Sequence, residues 1–169
     1  LKNELIKQGI TLHTATAVSD PAVAEKVALT FTRGDRRWRE EFSRVLLAVG
    51  RLPNTAGLFA AELGFALDAK GFIPVSPNLE TAIPGIFACG DAIGPPLLAH
   101  KASHQAMAVV EHIVAGRPVG HAPWPAAVFT FPEVATVGLS EPQALQAGLP
   151  VRIGRFPYAA GSRANAIDE

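Results

Sequence analysis

The chain has 169 residues, of which 49% are hydrophobic and 18% charged, and its fifteen basic side chains are balanced by fifteen acidic ones. This composition is typical of a globular protein, and a chain without net positive charge is a poor ligand for nucleic acid or an anionic membrane. No apolar run approaches the roughly 20 residues of a transmembrane helix. We therefore expect a cytoplasmic protein that binds neither nucleic acid nor membranes.

In the first fifty residues, the hydrophobic pattern predicts a short helix that ends at Gly9, followed by strands. Residues 33–36 (Arg-Gly-Asp-Arg) predict a hairpin turn. The last strand is an unbroken apolar run before Gly50, which is typical of a strand buried on both faces of a parallel sheet. The predicted bounds are residues 1–9 for the helix and 10–18, 23–32, 37–42 and 45–49 for the strands.

The middle of the chain predicts two helices and two short strands. Thr55 is a candidate cap for the first helix, and Gly116 follows the second, much longer one. The predicted bounds are 55–63 and 97–115 for the helices and 71–76 and 85–89 for the strands. The apolar face expected on the long helix consists of Ala99, Ala102, Ala106, Val109, Val110, Ile113 and Val114.

The residue composition changes after Gly120, where prolines interrupt an aromatic and β-branched stretch. Residues 134–137 and 151–156 predict strands. Between them, Ser140-Glu141-Pro142-Gln143 has the pattern of a capping box, with proline just inside a helix that Gly148 ends.

Residues 81–94 (TAIPGIFACGDAIG) are the most informative segment. An apolar strand leads directly into Gly90 and Asp91, and a long helix follows. A carboxylate at the carboxyl end of a buried strand, near a helix N-terminus, is where α/β proteins bind the hydroxyls of a ligand. Glycine at position 90 would let the backbone come close to that ligand. The alternative is that Asp91 only caps the turn that follows it.

The pattern T-x-x-x-G-I-F-A-x-G-D in this segment resembles the second flavin-binding segment of the FAD-dependent pyridine nucleotide-disulfide oxidoreductases. Further blocks in the same order resemble other parts of that family, and together they extend over nearly all of the chain. The block PLLAHKA is similar to the dihydrolipoamide dehydrogenase branch in particular. These further blocks are residues 45–54, 96–102, 128–138 and 156–164.

The resemblance implies an α/β fold in three parts. Residues 1–50 would be the tail of a doubly wound NAD-binding domain, and residues 51–120 the second, central FAD-binding segment. Residues 121–169 would begin an α+β interface domain through which the protein forms a homodimer. The family's redox cysteine pair, its two G-x-G-x-x-G motifs and its His-Glu pair do not occur here. We therefore expect a part of a longer enzyme that has no catalytic residue of its own and is inactive in isolation.

The resemblance also implies roles at the flavin. The carboxylate of Asp91 would accept a hydrogen bond from a ribityl hydroxyl of FAD, beside Gly90. The first amides of the long helix, those of Leu98, Ala99 and His100, would point at the N1–C2=O edge of the isoalloxazine. Negative charge on that edge in the reduced flavin would be stabilised by the positive end of the helix.

Gly50 and Arg51 would lie near the nicotinamide end of the NAD site, although a plain exit from a strand explains them equally well. A metal site is not expected. His100 and His104 are four residues apart on one helix, but no third ligand accompanies them.

The expected function is that of an FAD-dependent, NAD-linked oxidoreductase that oxidises dihydrolipoamide-type dithiols through a cysteine pair outside this chain. A lipoyl-bearing protein of a 2-oxoacid dehydrogenase complex would then be a partner. The alternatives are another member of the family, such as mercuric reductase, glutathione reductase or soluble transhydrogenase, and a fragment that dimerises without catalysing any reaction.

Overall fold

The computed structural model describes residues 1–58, 60–64, 66–120, 123–162 and 166, except for the side chains of Ala60 and Ala61. The chain divides into two compact units, Leu1–Ala122 with Ala127–Val134, and Pro123–Ala126 with Ala135–Glu169. The elements are α1 (Lys2–Lys7), β1 (Ala17–Val23), β2 (Val27–Arg33), β3 (Arg36–Phe42), α2 (Ala60–Leu63), α3 (Ala99–Ala115), β4 (Ala126–Val128), β5 (Val134–Thr136) and α4 (Glu141–Gln146), with 3-10 turns at Gly90–Ile93 and Tyr158–Ala160.

Strands β1, β2 and β3 form an antiparallel sheet with β2 in the middle. The predicted hairpin is confirmed: Arg33 pairs with Arg36 across a turn in which Gly34 has a φ of 57°. The first two strands lie later in the chain than predicted. The burial pattern of β2 does not alternate, because Ala28, Thr30 and Phe31 are all buried. Residues on both faces of β2 are therefore buried, whereas a strand with one solvent-facing side would show burial at every second residue.

The prediction of a strand at residues 45–49 is wrong for the described structure, in which this run has no regular secondary structure. Leu46 is 90% exposed and Val49 is 86% exposed. A strand of a parallel sheet needs hydrogen-bonding neighbours and apolar layers on both faces, and the described residues supply neither.

Two short strands and the start of a helix were also predicted wrongly. Residues 71–76 and 85–89 form a network of single hydrogen bonds, with one antiparallel bridge between Glu80 and Phe87. Ile73 N–H donates to the carbonyl of Ala92 at 2.9 Å, which ties the first of these segments to the 3-10 turn. Thr55 does not cap a helix: its buried hydroxyl donates to the carbonyl of Gly71 at 2.9 Å.

Helix α3 is confirmed, and it ends as predicted at Gly116, which is left-handed with a φ of 65°. Its buried stripe differs from the prediction. The three buried residues are Lys101, Gln105 and Val109, spaced four apart on one side of the helix. Several residues of the predicted apolar face are exposed among the described residues, namely Ala99, Ala106, Val110, Ile113 and Val114.

A small apolar core packs against α3. Leu79, Val109 and Val119 are its buried members, and Phe87 and Cys89 pack against them. Leu79 has a φ of 64°, which is rare for a residue with a side chain. Its N–H donates to the carbonyl of Ser76, and its own carbonyl accepts the N–H of Ala88. The core therefore joins residues 76–89 to one face of the long helix.

In the second unit, α4 begins as the capping box predicts, because the N–H of Ser140 donates to Oε1 of Gln143 at 2.9 Å. The short strand predicted at residues 134–137 is confirmed as β5, which pairs with β4. No strand forms at residues 151–156, contrary to prediction. Within the described part of the chain, no helix is both long and apolar enough to span a bilayer.

Candidate functional site

The residues that the motif singles out lie on a tight 3-10 turn before α3. Cys89 leads into the turn in an extended conformation, and Gly90 and Gly94 bracket it with φ values of 72° and 105°. The turn closes through a hydrogen bond of 3.2 Å from the N–H of Gly94 to the carbonyl of Asp91. Because both flanking residues have positive φ, glycine relieves backbone strain at each end of the turn.

Gly90 is required for a second reason, which is the closeness of α3. A Cβ atom at position 90 would lie 2.8 Å from the Cβ of Ala102. The missing side chain therefore makes room for the helix, whereas the sequence suggested room for a ligand. A contact between the backbone of Gly90 and a ligand stays a prediction.

Two polar side chains from the buried stripe of α3 hold the turn. Oε1 of Gln105 accepts the N–H of Gly90 at 2.9 Å. The ammonium group of Lys101 donates to the carbonyl of Gly90 at 3.3 Å and to the carbonyl of Gly94 at 2.5 Å. The side chains of Lys101 and Gln105 thus satisfy backbone groups at both ends of the turn that carries Asp91.

Burial of the ammonium group lowers the pKa of Lys101 below its ordinary value of 10.5, and the nearby charges of Asp91 and Cys89 offset part of that effect. A lysine whose pKa falls on folding opposes folding wherever it is charged. This opposition is present in full below the folded-state pKa of Lys101 and disappears as the pH rises past the unfolded value. The burial of Lys101 therefore has an electrostatic cost to folding.

Asp91 borders an open cavity of about 290 Å³ in the first unit. The carboxylate of Asp91 is exposed, whereas the glycines beside it are buried. Arg51 supplies a positive charge to the same cavity, and Phe72 and Leu97 supply apolar surface. The full lining consists of Arg51, Leu52, Pro53, Asn54, Phe72, Asp91, Ala92 and Leu97.

The structure brings two of the predicted site residues, Asp91 and Arg51, to one cavity. Gly50 precedes it with a φ of 115° but does not line it. Helix α3 begins at Ala99, one residue later than the expected first amide, and Leu98 is its N-cap. Leu98 has no side chain that could cap the helix, so the positive end of the helix dipole is not offset by a capping oxygen from that residue.

Sequence reasoning missed Lys101, Gln105 and Phe72. Lysine and glutamine on a helix are normally assigned to the solvent-facing side. One signal was present for the two helical residues. Lys101 and Gln105 lie eight and four residues before Val109, which was predicted to be on the apolar face of the helix. A polar residue on the same side of a helix as a buried one is buried as well, so it needs hydrogen-bond partners such as backbone groups.

Cys89 is a free thiol, half-buried against the core. Among the described residues, no group of three or more histidine, cysteine, aspartate or glutamate side chains could hold a metal ion. The site thus offers a carboxylate, a guanidinium group, apolar walls and a helix N-terminus. This set suits an organic ligand that carries hydroxyl groups.

Two family models match the chain. Residues 1–106 match the model described as pyridine nucleotide-disulphide oxidoreductase, and residues 124–169 match the dimerisation domain of the same family. Since the first match covers more than half of the chain, the chain belongs to the pyridine nucleotide-disulphide oxidoreductase family. The predicted family and the predicted fold class, an α/β fragment of this fold, are confirmed.

Several curated relatives are dihydrolipoamide dehydrogenases. The chain is 42% identical to dihydrolipoamide dehydrogenase of Chaetomium thermophilum over 95% of its own length and 32% of that protein. It is 36% identical to dihydrolipoyl dehydrogenase of Thermus scotoductus over 97% of its length and 36% of that protein. The chain therefore spans about a third of the length of these relatives.

Two solved structures share the fold of this chain. LpdA of Mycobacterium tuberculosis superposes with a TM-score of 0.84 at 26% identity, over 98% of this chain and 36% of LpdA. The flavoprotein disulfide reductase RclA of Escherichia coli superposes with a TM-score of 0.83 at 24% identity, over 99% of this chain and 38% of RclA, which supports the fold alone. The family uses FAD and NAD, the two cofactors predicted. The domain boundaries at residues 50 and 120 stay predictions.

Proposed function

We propose that the chain is part of an FAD-dependent, NAD-linked oxidoreductase that oxidises dihydrolipoamide-type dithiols. The observation that supports this most directly is that Asp91, on the 3-10 turn, lines the same cavity as Arg51 and as Leu97, which lies just before α3. The relatives named dihydrolipoamide or dihydrolipoyl dehydrogenase favour this branch of the family over its other members.

The residues at the cavity fit a flavin cofactor. The exposed carboxylate of Asp91 would accept a hydrogen bond from a hydroxyl of the ribityl chain, and a charged acceptor strengthens such a bond. Phe72 and Leu97 would pack against apolar parts of the cofactor. The bound flavin would supply two-electron redox chemistry between a dithiol and NAD. In this role the chain contributes binding and orientation of the cofactor.

The first turn of α3 and the segment at Gly50 and Arg51 have auxiliary roles in this proposal. The start of α3, whose N-cap residue Leu98 has no capping side chain, would stabilise negative charge on a nearby ring through the backbone of Leu98, Ala99 and His100. Arg51 would lie toward the NAD site, together with Gly50. Its guanidinium group at the same cavity as Asp91 supports a position where the two cofactors meet.

The partners are part of the proposal as well. Residues 124–169 match a dimerisation domain, so the full-length protein would form a homodimer through residues 121–169. A dithiol substrate of this class is carried by the lipoyl-bearing protein of a 2-oxoacid dehydrogenase complex. The isolated chain, which has a single cysteine, would bind no dithiol productively.

Replacing Asp91 tests the cofactor site. In the full-length protein, Asp91→Ala is expected to weaken FAD binding about 10- to 100-fold, because a hydrogen bond to a charged group contributes roughly 1.5–3 kcal/mol. The measurement is reconstitution of the apoprotein with FAD, followed by flavin fluorescence. Asp35→Asn, in the hairpin turn, is the control and should bind FAD as the parent does. Unchanged affinity in Asp91→Ala would contradict the site.

A substrate comparison tests the chemistry. The full-length protein is expected to reduce NAD with dihydrolipoamide at least ~100-fold more efficiently than it acts on the substrates of its alternatives, because a site built for one substrate's polar groups rejects a poorly matched one by such factors. The competing assays are reduction of glutathione disulfide, reduction of mercuric ion and hydride exchange between NADPH and NAD. Higher efficiency in any of these would reassign the branch, and absence of all four activities would favour a non-catalytic role.

A further inference from the structure

Lys101 is the most deeply buried charged residue among the described residues of known burial, with 3% of its surface exposed. Its ammonium group reaches the carbonyl oxygens of both Gly90 and Gly94. These two residues are the first of the turn and the one that follows it, and Asp91 lies between them. One side chain therefore connects both ends of the segment that presents the carboxylate.

This position is unfavourable for a lysine on general grounds. Lys101 is the third residue of α3, where the helix dipole disfavours a positive charge. Burial adds a desolvation cost, which the lowered pKa reflects. A methionine would fill a similar volume without either cost. In return, the ammonium group donates to two carbonyl oxygens and interacts favourably with the charge of Asp91, and a methionine could do neither.

We propose that Lys101 is a positioning residue for the cofactor site: by joining the carbonyls of Gly90 and Gly94, it holds the carboxylate of Asp91 in place at the cavity. The inference rests on the proposed function, since it assigns Asp91 to the cofactor. It deepens that function by adding a buried cation that acts only through another residue. Gln105 assists by fixing the N–H of Gly90.

A double-mutant cycle in the full-length protein tests this. The variants are Lys101→Met, Asp91→Asn and the two combined, and the measurement is the dissociation constant of FAD from reconstituted apoprotein. Lys101→Met should weaken binding about 10-fold, since two charge-assisted hydrogen bonds that hold the turn are lost. The combined variant should bind within about 3-fold of Asp91→Asn alone, because residues that act through one contact are not additive.

Two further variants are controls, one for the loss of a lysine in general and one for misfolding of Lys101→Met. Lys70→Met removes an exposed lysine of the same unit and should leave FAD binding unchanged. Lys101→Gln keeps two neutral N–H donors in place of three charged ones, so it should fall between the parent and Lys101→Met. If Lys101→Met does not fold, Lys101→Gln alone and combined with Asp91→Asn replaces it in the cycle.

The possible outcomes distinguish a failure of the proposed function from a failure of the role proposed for Lys101. A full-length protein that binds no FAD, or an Asp91→Asn variant that binds it as tightly as the parent, overturns the proposed function and this inference together. If Asp91→Asn weakens binding and the lysine variant has no effect, or if the two effects multiply, only the role of Lys101 is overturned. Effects that overlap in the combined variant support it.

Discussion

Gly90→Ala in the full-length protein is expected to lower the free energy of unfolding by about 2–6 kcal/mol, the sum of a backbone strain and an overpacking effect. The strain arises because position 90 has a φ of 72°, and the overpacking because the new Cβ would lie 2.8 Å from the Cβ of Ala102. Part of the clash is with a helix that cannot move away without losing its contacts to the turn. A lower melting temperature of the apoprotein, with faster hydrogen exchange at residues 89–102, is the expected measurement.

Gly85→Ala is the matched control for this effect. Gly85 also has a positive φ, of 82°, but a Cβ there would meet no atom within 4 Å. Its substitution should produce the strain alone, about 1–3 kcal/mol. Combining Gly90→Ala with Ala102→Gly should restore part of the loss, reduced by the ~1 kcal/mol that glycine costs inside a helix. Equal effects of Gly85→Ala and Gly90→Ala would mean that α3 does not press on the turn.

Leu79→Ala is expected to destabilise the full-length protein by about 2–4 kcal/mol, the range for emptying a buried leucine site. Leu79 is 4% exposed and forms one core with Val109 and Val119. Its backbone also hydrogen-bonds to Ser76 and Ala88, so the substitution leaves those bonds intact and removes only packing. Thermal and denaturant unfolding of the apoprotein measure the loss.

Leu79→Met separates packing from the unusual backbone of this position. It keeps most of the volume and the positive φ, so it should cost less than about 1.5 kcal/mol. Because the same core supports α3, Leu79→Ala should also weaken FAD binding, and Leu79→Met should not. A similar loss of stability in both variants would show that the side chain of Leu79 is not what holds this core together.

Three features that depend on local signals were predicted correctly, although the cap expected at Thr55 was not. The hairpin at Gly34, the end of α3 at Gly116 and the capping box at Ser140 each involve residues within a few positions of one another. Their energies come from φ preferences and from hydrogen bonds between near neighbours in sequence. The sequence contains the whole of that information, which explains why the ends of these elements were the most accurate predictions.

Features that depend on partners distant in the sequence were not predicted correctly. The apolar run at residues 45–49 has the composition of a central strand but no neighbouring strand among the described residues. Residues 71–76 and 85–89 also lack the ladder that would make them strands, and single hydrogen bonds to the 3-10 turn and to residues 79–81 take its place. Composition shows what a segment could pair with, and pairing needs a partner in space.

The candidate site shows the same division. The motif was enough to predict the family, the cofactors that the family uses and the position of Asp91 after an apolar segment, because a motif is a local pattern of residue types. The folded arrangement was needed to show that Lys101 and Gln105 hydrogen-bond to both ends of the turn that carries Asp91, and that Gly90 makes room for a helix. A polar side chain can be buried at low cost only where it finds hydrogen-bond partners. For Lys101 and Gln105 these partners are backbone groups, whose positions depend on the fold.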